Sequence, residues 1–122
     1  MKVCILGSGI SSLTLAKALV NKKIKVDILF SNKFKNLNFS RTLGITKNNV
    51  EYFNKNIIKI DKLLWKLNKI EIYSDNLKNE KLLKFENNKN QLFSIIKNHE
   101  LYKLLYLNLI KNKYFKKLKI YR

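Results

Sequence analysis

Six residues near the start of the chain, Gly7-Ser8-Gly9-Ile10-Ser11-Ser12, have the types and spacing of an anion-binding turn. The sequence holds only three glycines, Gly7, Gly9 and Gly44, and two of them fall here. Gly7 permits a tight turn, and Gly9 places no side chain between the backbone and an incoming group. The first turn of a following helix, from Ile10 through Ser11 to Ser12, has N–H groups with no helical partner, and these donate to an anion. The Ser11 hydroxyl adds a donor. Ser12 stands where a third glycine is common, and a small residue there still lets helix and strand pack closely. The anion this arrangement suits is the pyrophosphate of a dinucleotide. The alternative is a strand–helix turn that uses glycine for geometry alone.

No second chemistry competes with it. One histidine, His99, leaves no His-rich metal centre, and one cysteine, Cys4, excludes an internal disulfide and a CxxC site. Asp61, Glu71 and Glu86 form no acid–base pair. Neither a catalytic residue nor a metal ligand is assigned. His99 reads as a residue of a helix N-terminus.

The turn works only between a strand and a helix. Lys2 to Leu6, KVCIL, reads as a buried parallel strand, which makes Cys4 inert. Ser11 to Asn21 reads as a helix with Leu15, Ala18 and Leu19 at helical spacing and Leu13 and Ala16 nearby. Lys22 and Lys23 sit where a helix dipole favours cations. Ile24 to Phe30, IKVDILF, is the second strand, completing a βαβ unit. An acidic residue normally ends that second strand and binds the adenosine ribose. Here Phe30-Ser31-Asn32 occupy the place, and Asp27 comes too early, so Ser31 or Asn32 would be the neutral substitute.

Further on, Ser31 to Phe39 reads as a polar loop. Thr46 or Asn48 caps a helix through Val50, Tyr52 and Phe53. Asp61 to Leu67 reads as a short helical turn, with Trp65 a packing residue. Lys69 to Ser74 and Lys81 to Glu86 pair as antiparallel strands, and Gln91 to Lys97 is a third strand candidate. Asn98 to Ile110 is a helix burying Leu101, Leu104, Leu105 and Leu109. Lys117 to Tyr121 is the last strand.

Composition sets the outer bounds. The chain of 122 residues is 46% apolar, so a packed core is feasible and wholesale disorder is not expected. Twenty-six basic residues against eight acidic ones give +18. Such a charge suits nucleic acid or an acidic membrane surface. Only Arg41 and Arg122 are arginine, however, and arginine is what base readout and bidentate phosphate clamps favour. The lysines are also spread along the whole chain, as on a solvated surface. Nucleic acid is therefore the weaker partner reading, and peripheral membrane contact stays open beside it. The apolar run at the start contains Gly7, Ser8, Gly9, Ser11, Ser12 and Lys17, unlike a secretory signal, and no run approaches the ~18 apolar residues of a membrane span. The expectation is a cytoplasmic protein.

The order of segments resembles the N-terminal part of the flavoprotein aromatic hydroxylases (class A FAD-dependent monooxygenases), closest to the ubiquinone-biosynthesis branch. The likeness is carried by the Gly7–Ser12 turn, by Ser40-Arg41-Thr42-Leu43-Gly44-Ile45, by the helix with Val50 to Phe53, by Leu64-Trp65, by Ile70-Glu71-Ile72-Tyr73, and by Leu92 to Asn98 leading into Leu101 and Leu105. It implies an α/β fold: an incomplete Rossmann-like FAD-binding unit, βαβ plus a third parallel strand, with an inserted small antiparallel β region. Residues 1–122 would be its FAD-binding portion and 69–97 the start of the substrate-side sheet.

The resemblance also implies FAD as cofactor, NAD(P)H as reductant and an aromatic substrate in the intact enzyme. Gly7, Gly9, Ile10, Ser11 and Ser12 would hold the pyrophosphate, with Ser31 at the ribose. Arg41 and Asn98 match positions that approach the flavin or its phosphates. Family members are much longer and carry a second FAD motif and most of the substrate domain beyond the point reached here. The expectation is the N-terminal portion of a hydroxylase from a truncated or split gene, inactive alone and cytoplasmic or peripheral to the inner membrane; a split enzyme completed by a separate C-terminal chain is a further alternative. A basic binding module on the same βαβ scaffold, meeting nucleic acid or acidic lipid, is the alternative.

Overall fold

A computed structural model describes residues 1–30, 41–67, 69–73, 81–86 and 93–119. The opening unit follows the alternation of its sequence. Strand β1 (Lys2–Leu6) leads through the glycine turn into helix α1 (Ile10–Asn21), which returns the chain to strand β2 (Lys25–Phe30). β1 and β2 are parallel, with Ile5 opposite Ile28 and Leu6 opposite Leu29. Helix α1 ends in a Schellman motif: the Lys23 N–H donates to the Val20 carbonyl at 3.0 Å and the Ile24 N–H to the Leu19 carbonyl at 3.1 Å. That geometry places Lys23 at φ 62°, a position that glycine normally fills.

The middle of the chain builds two antiparallel sheets. Strand β3 (Thr42–Thr46) runs into helix α2 (Lys47–Asn56). After a 3-10 turn over Asp61–Leu63 come strands β4 (Leu64–Leu67), β5 (Lys69–Tyr73), β6 (Lys81–Glu86) and β7 (Phe93–Lys97). β7 lies between β3 and β4, antiparallel to both, while β5 pairs with β6 alone. Helix α3 (Asn98–Ile110) then carries the chain back to strand β8 (Phe115–Lys119), which joins β2 in parallel. The parallel sheet has the order β1-β2-β8. The α/β class, the third parallel strand and the inserted antiparallel region are therefore as the sequence predicts.

One core ties these parts together. Leu13, Ala16 and Val20 of α1 meet Leu101, Leu105 and Leu109 of α3 over Ile5, Val26 and Ile28, and Ile57, Ile60 and Ile96 extend the cluster toward the antiparallel sheet. Each of the Leu, Ile and Val side chains contributes about 1.5–3 kcal/mol by leaving water. Residues i and i+2 of a strand share a face. Ile5, Val26 and Ile28 therefore point toward the helices, and Cys4, Leu6, Asp27, Leu29 and Leu118 point the other way.

Several expectations are corrected here. Cys4 is exposed, because it lies on the face of β1 away from the helices. The buried stripe of α1 is Leu13, Ala16 and Val20, whereas Leu15 is half exposed. Asp61 to Leu67 is a 3-10 turn followed by a strand, since Leu64 to Leu67 find ladder partners in β7. Trp65 is 66% exposed, on the outer side of that strand. β3 is a strand that the sequence reading did not identify. β7 is the third strand expected after β6, but it pairs with β3 and β4. No helix among the described residues is long and apolar enough to cross a membrane.

Candidate dinucleotide site

The carboxyl end of β1, the start of α1 and the end of β2 are drawn together by one hydrogen bond. The Gly7 N–H donates to the Leu29 carbonyl at 2.9 Å, so the turn sits directly on the second strand. Gly7 adopts φ +114°, a conformation that L side chains rarely take, and an added Cβ would lie 3.3 Å from the Ser12 hydroxyl oxygen. Both the backbone angle and the close approach of Ser12 therefore require glycine. Gly9 is different. Its φ of −77° and ψ of −178° are open to any residue, and a Cβ there would meet nothing within 4 Å. What glycine supplies at position 9 is empty space in front of the helix.

Behind that space the donors are bare. Gly9 is the N-cap of α1 and makes no side-chain capping bond, and no acidic residue occupies the first turn. The Leu13 N–H donates to the Gly9 carbonyl at 3.0 Å and closes the first helical bond. The N–H groups of Ile10, Ser11 and Ser12 precede it and face the end of the helix. The helix dipole adds partial positive charge at the same place. Ser11 is exposed and Ser12 half-buried. Ser8, inside the turn, is 8% exposed and its hydroxyl oxygen has no partner. The sequence reading passed over Ser8; its place between two glycines is the only signal it gives.

A second helix start comes to the same side of the sheet. α3 must run antiparallel to β8, as α1 runs antiparallel to β1, and the two helices pack on one another. α3 likewise lacks a side-chain cap. Its first N–H, that of Asn98, donates to the Arg41 carbonyl at 3.0 Å. The structure thus brings Arg41 and Asn98 into direct main-chain contact at the junction of β3 and β7, where Thr42 pairs with Lys97. Arg41 is exposed and Asn98 half-buried. His99 lies in the first turn of α3, as expected.

The ribose end carries no carboxylate among the described residues. Asp27 is held inside β2 by Lys2, Nζ to Oδ2 at 3.1 Å. Phe30 ends the strand, with the Lys117 Nζ 4.2 Å from its ring centroid; the same ammonium donates to the Tyr106 hydroxyl at 2.9 Å. Tyr102 stacks on Tyr106, and burial, followed by the neighbouring Tyr106, pushes the Tyr102 phenol above its ordinary value. Ser31 lies outside the described residues. No metal-binding group of His, Cys, Asp and Glu forms among the described residues.

The residues present fit a dinucleotide pyrophosphate: a cleared approach at Gly9, unspent main-chain donors and an unpartnered hydroxyl at Ser8 all meet at one helix start. Comparison with known proteins agrees at the level of fold. No family model matches the chain, and no curated protein matches it. Among solved structures, it is similar to PqsL of Pseudomonas aeruginosa, a probable FAD-dependent monooxygenase (TM-score 0.77, 16% identity, 98% of this chain and 32% of that one). It is also similar to 2,6-dihydroxypyridine-3-hydroxylase of Arthrobacter nicotinovorans (TM-score 0.66, 19% identity, 95% and 28%). A third is HpxO of Klebsiella pneumoniae, solved with FAD and uric acid (TM-score 0.67, 18% identity, 96% and 30%). The chain spans about a third of the length of these structures, and over that third it has the fold of the N-terminal region of FAD-dependent monooxygenases.

Proposed function

We propose that the chain is the FAD-binding portion of a flavoprotein aromatic hydroxylase, and that the intact enzyme, of the ubiquinone-biosynthesis type, acts on a polyprenylated aromatic ring with NAD(P)H as reductant. The observation that carries this reading is the start of α1, where bare N–H groups stand behind a position whose missing side chain leaves open space. Gly7 and Gly9 admit the pyrophosphate. The N–H groups of Ile10, Ser11 and Ser12 and the Ser11 hydroxyl donate to its oxygens. Arg41 and Asn98, joined through their main chains, stand on the flavin side. Ser31 takes the ribose in place of a carboxylate, at a cost in affinity, because hydrogen bonds to charged groups are the stronger ones, about 1.5–3 kcal/mol. Bound there, FAD supplies the oxygen chemistry that adds a hydroxyl to an aromatic ring.

The second half of the flavin site and the substrate domain belong to the remainder of the intact enzyme, and the 122 residues by themselves bind FAD weakly without turnover. Titration of FAD into the purified protein, followed by flavin fluorescence, tests the reading. The expected result is a colourless preparation with saturable, weak binding that Gly9→Val reduces at least tenfold while the thermal midpoint stays in place. Binding unaffected by Gly9→Val would remove the pyrophosphate assignment.

A further inference from the structure

At the end of β2 a cation stands where a nucleotide-binding strand usually places a carboxylate. Phe30 closes β2, and the carbonyl of the residue before it, Leu29, accepts the Gly7 N–H at 2.9 Å. The glycine turn and the end of β2 therefore share one edge of the parallel sheet. β8 runs parallel to β2, with Lys117 opposite Ile28 and Lys119 opposite Phe30, so its carboxyl end lies at that edge too. Ligands of parallel sheets bind in the crevice outside such strand ends. Lys117 shares a face with Ile28 and Phe30 and reaches forward along it. Its Nζ stands 4.2 Å from the centroid of the Phe30 ring and 5.0 Å from that of Tyr106, and it donates to the Tyr106 hydroxyl at 2.9 Å. Tyr106 is held in turn by stacking on Tyr102, with ring centroids 6.2 Å apart and planes 11° from parallel. A lysine on a solvated surface roams; this one is fixed by two rings and a hydroxyl, and its ammonium has two more donors to give. Lys117 is exposed and forms no ion pair among the described residues. The sequence holds no acidic residue between Asp27 and Glu51. Asp27 lies on the other face of the sheet, paired with Lys2.

We infer that Lys117 makes this site select an adenosine whose ribose carries a phosphate, as at the 2′ position of NADP, over one whose ribose hydroxyls are free. A carboxylate at the end of the second strand accepts hydrogen bonds from the ribose hydroxyls and repels a phosphate; a cation in that place attracts the phosphate and has nothing to accept with. The inference rests on the dinucleotide reading of the Gly7–Ser12 turn and refines which nucleotide that turn admits. FAD, whose adenosine ribose has free hydroxyls, forgoes the contact, in keeping with the weak FAD binding proposed above. The competing explanation is a diffuse attraction of any anion to a chain of net charge +18, and that attraction would not single out one lysine.

NADP+ and NAD+ differ only by that phosphate, so the ratio of their affinities isolates the ribose end. Each is titrated into the full chain by calorimetry at about 0.15 M salt, and FAD is titrated alongside to report on the turn itself. NADP+ is expected to bind about tenfold more tightly than NAD+. Lys117→Gln should bring the two affinities within about twofold of each other, and Lys117→Arg should keep the preference. Lys25→Gln, which removes a charge at the opposite end of β2, should keep it as well. Equal affinities in the unsubstituted chain, with FAD still bound, would overturn the inference and leave the turn in place; this comparison needs no variant to fold. A preference lost to the same extent in Lys25→Gln and Lys117→Gln would overturn it in favour of diffuse charge. A chain that binds none of the three nucleotides would remove the dinucleotide reading, and this inference with it.

Discussion

The starts of α1 and α2 are built from similar material and end in opposite states. α2 opens on Thr46, whose hydroxyl accepts a hydrogen bond from the Asn49 N–H at 3.3 Å, so the helix meets part of its donor need from its own sequence. α1 opens on Gly9, which has no side chain to offer, and no acidic residue follows. A capped helix start is finished; an uncapped one with empty space before it is a place for something else to bind. The difference lies in one residue at each N-cap. It teaches that a site of this kind is recognised as much by what the sequence withholds as by what it provides.

The largest effect on this contrast is expected at Gly7. Gly7→Val forces a β-branched residue to φ +114° against the Ser12 hydroxyl. Strain of this kind costs about 1–3 kcal/mol, and the denaturation midpoint should fall accordingly, with FAD binding lost alongside. An unchanged midpoint would mean that the turn relaxes and that Gly7 is dispensable. Next comes Thr46→Ala, which removes the cap of α2 and should lower stability by ~1 kcal/mol in chemical denaturation. It should leave FAD binding alone. If it altered flavin affinity, the two helix starts would not be independent and the contrast would fail. The smallest effect sits at the other end of α1. Lys23 holds the left-handed position of the Schellman motif at φ 62°, so Lys23→Gly should raise stability by about 0.5–1 kcal/mol in the same assay. A loss would show that the lysine side chain contributes more than its backbone strain costs.

Much of this was legible in the residues. Local pattern alone located β1, α1 and β2, since an apolar run, a glycine turn and an apolar helix follow within thirty residues. α3 announced itself through Leu101, Leu105 and Leu109, and β8 through KLKIY, of which Lys117 to Lys119 lie in the strand. The failures share a cause. Leu64 to Leu67 is too short to declare itself, and its ladder partner, β7, lies some thirty residues away. Thr42 to Thr46 has a glycine at its centre and is a strand because Phe93, on the far side of the ladder, covers that gap. Cys4 and Trp65 were expected inside because apolar side chains in strands usually are. Which face of a sheet receives helices is decided by tertiary packing, and that information is not in either residue's neighbourhood. At the site, Gly7 to Ser12 could be read from spacing, whereas the approach of Arg41 to Asn98 depends on the pairing of β3 with β7.

The position of β1 at the rim of the parallel sheet has one more consequence. Among the described residues β2 is its only neighbour, and Leu6 at its end is 76% exposed. A rim of this kind invites strand-to-strand stacking between molecules. Eighteen surplus positive charges oppose that encounter by mutual repulsion over roughly 10 Å at 0.1 M salt. The lysine excess, whatever it meets, thus also works as a colloidal guard, and its reach contracts as ionic strength rises.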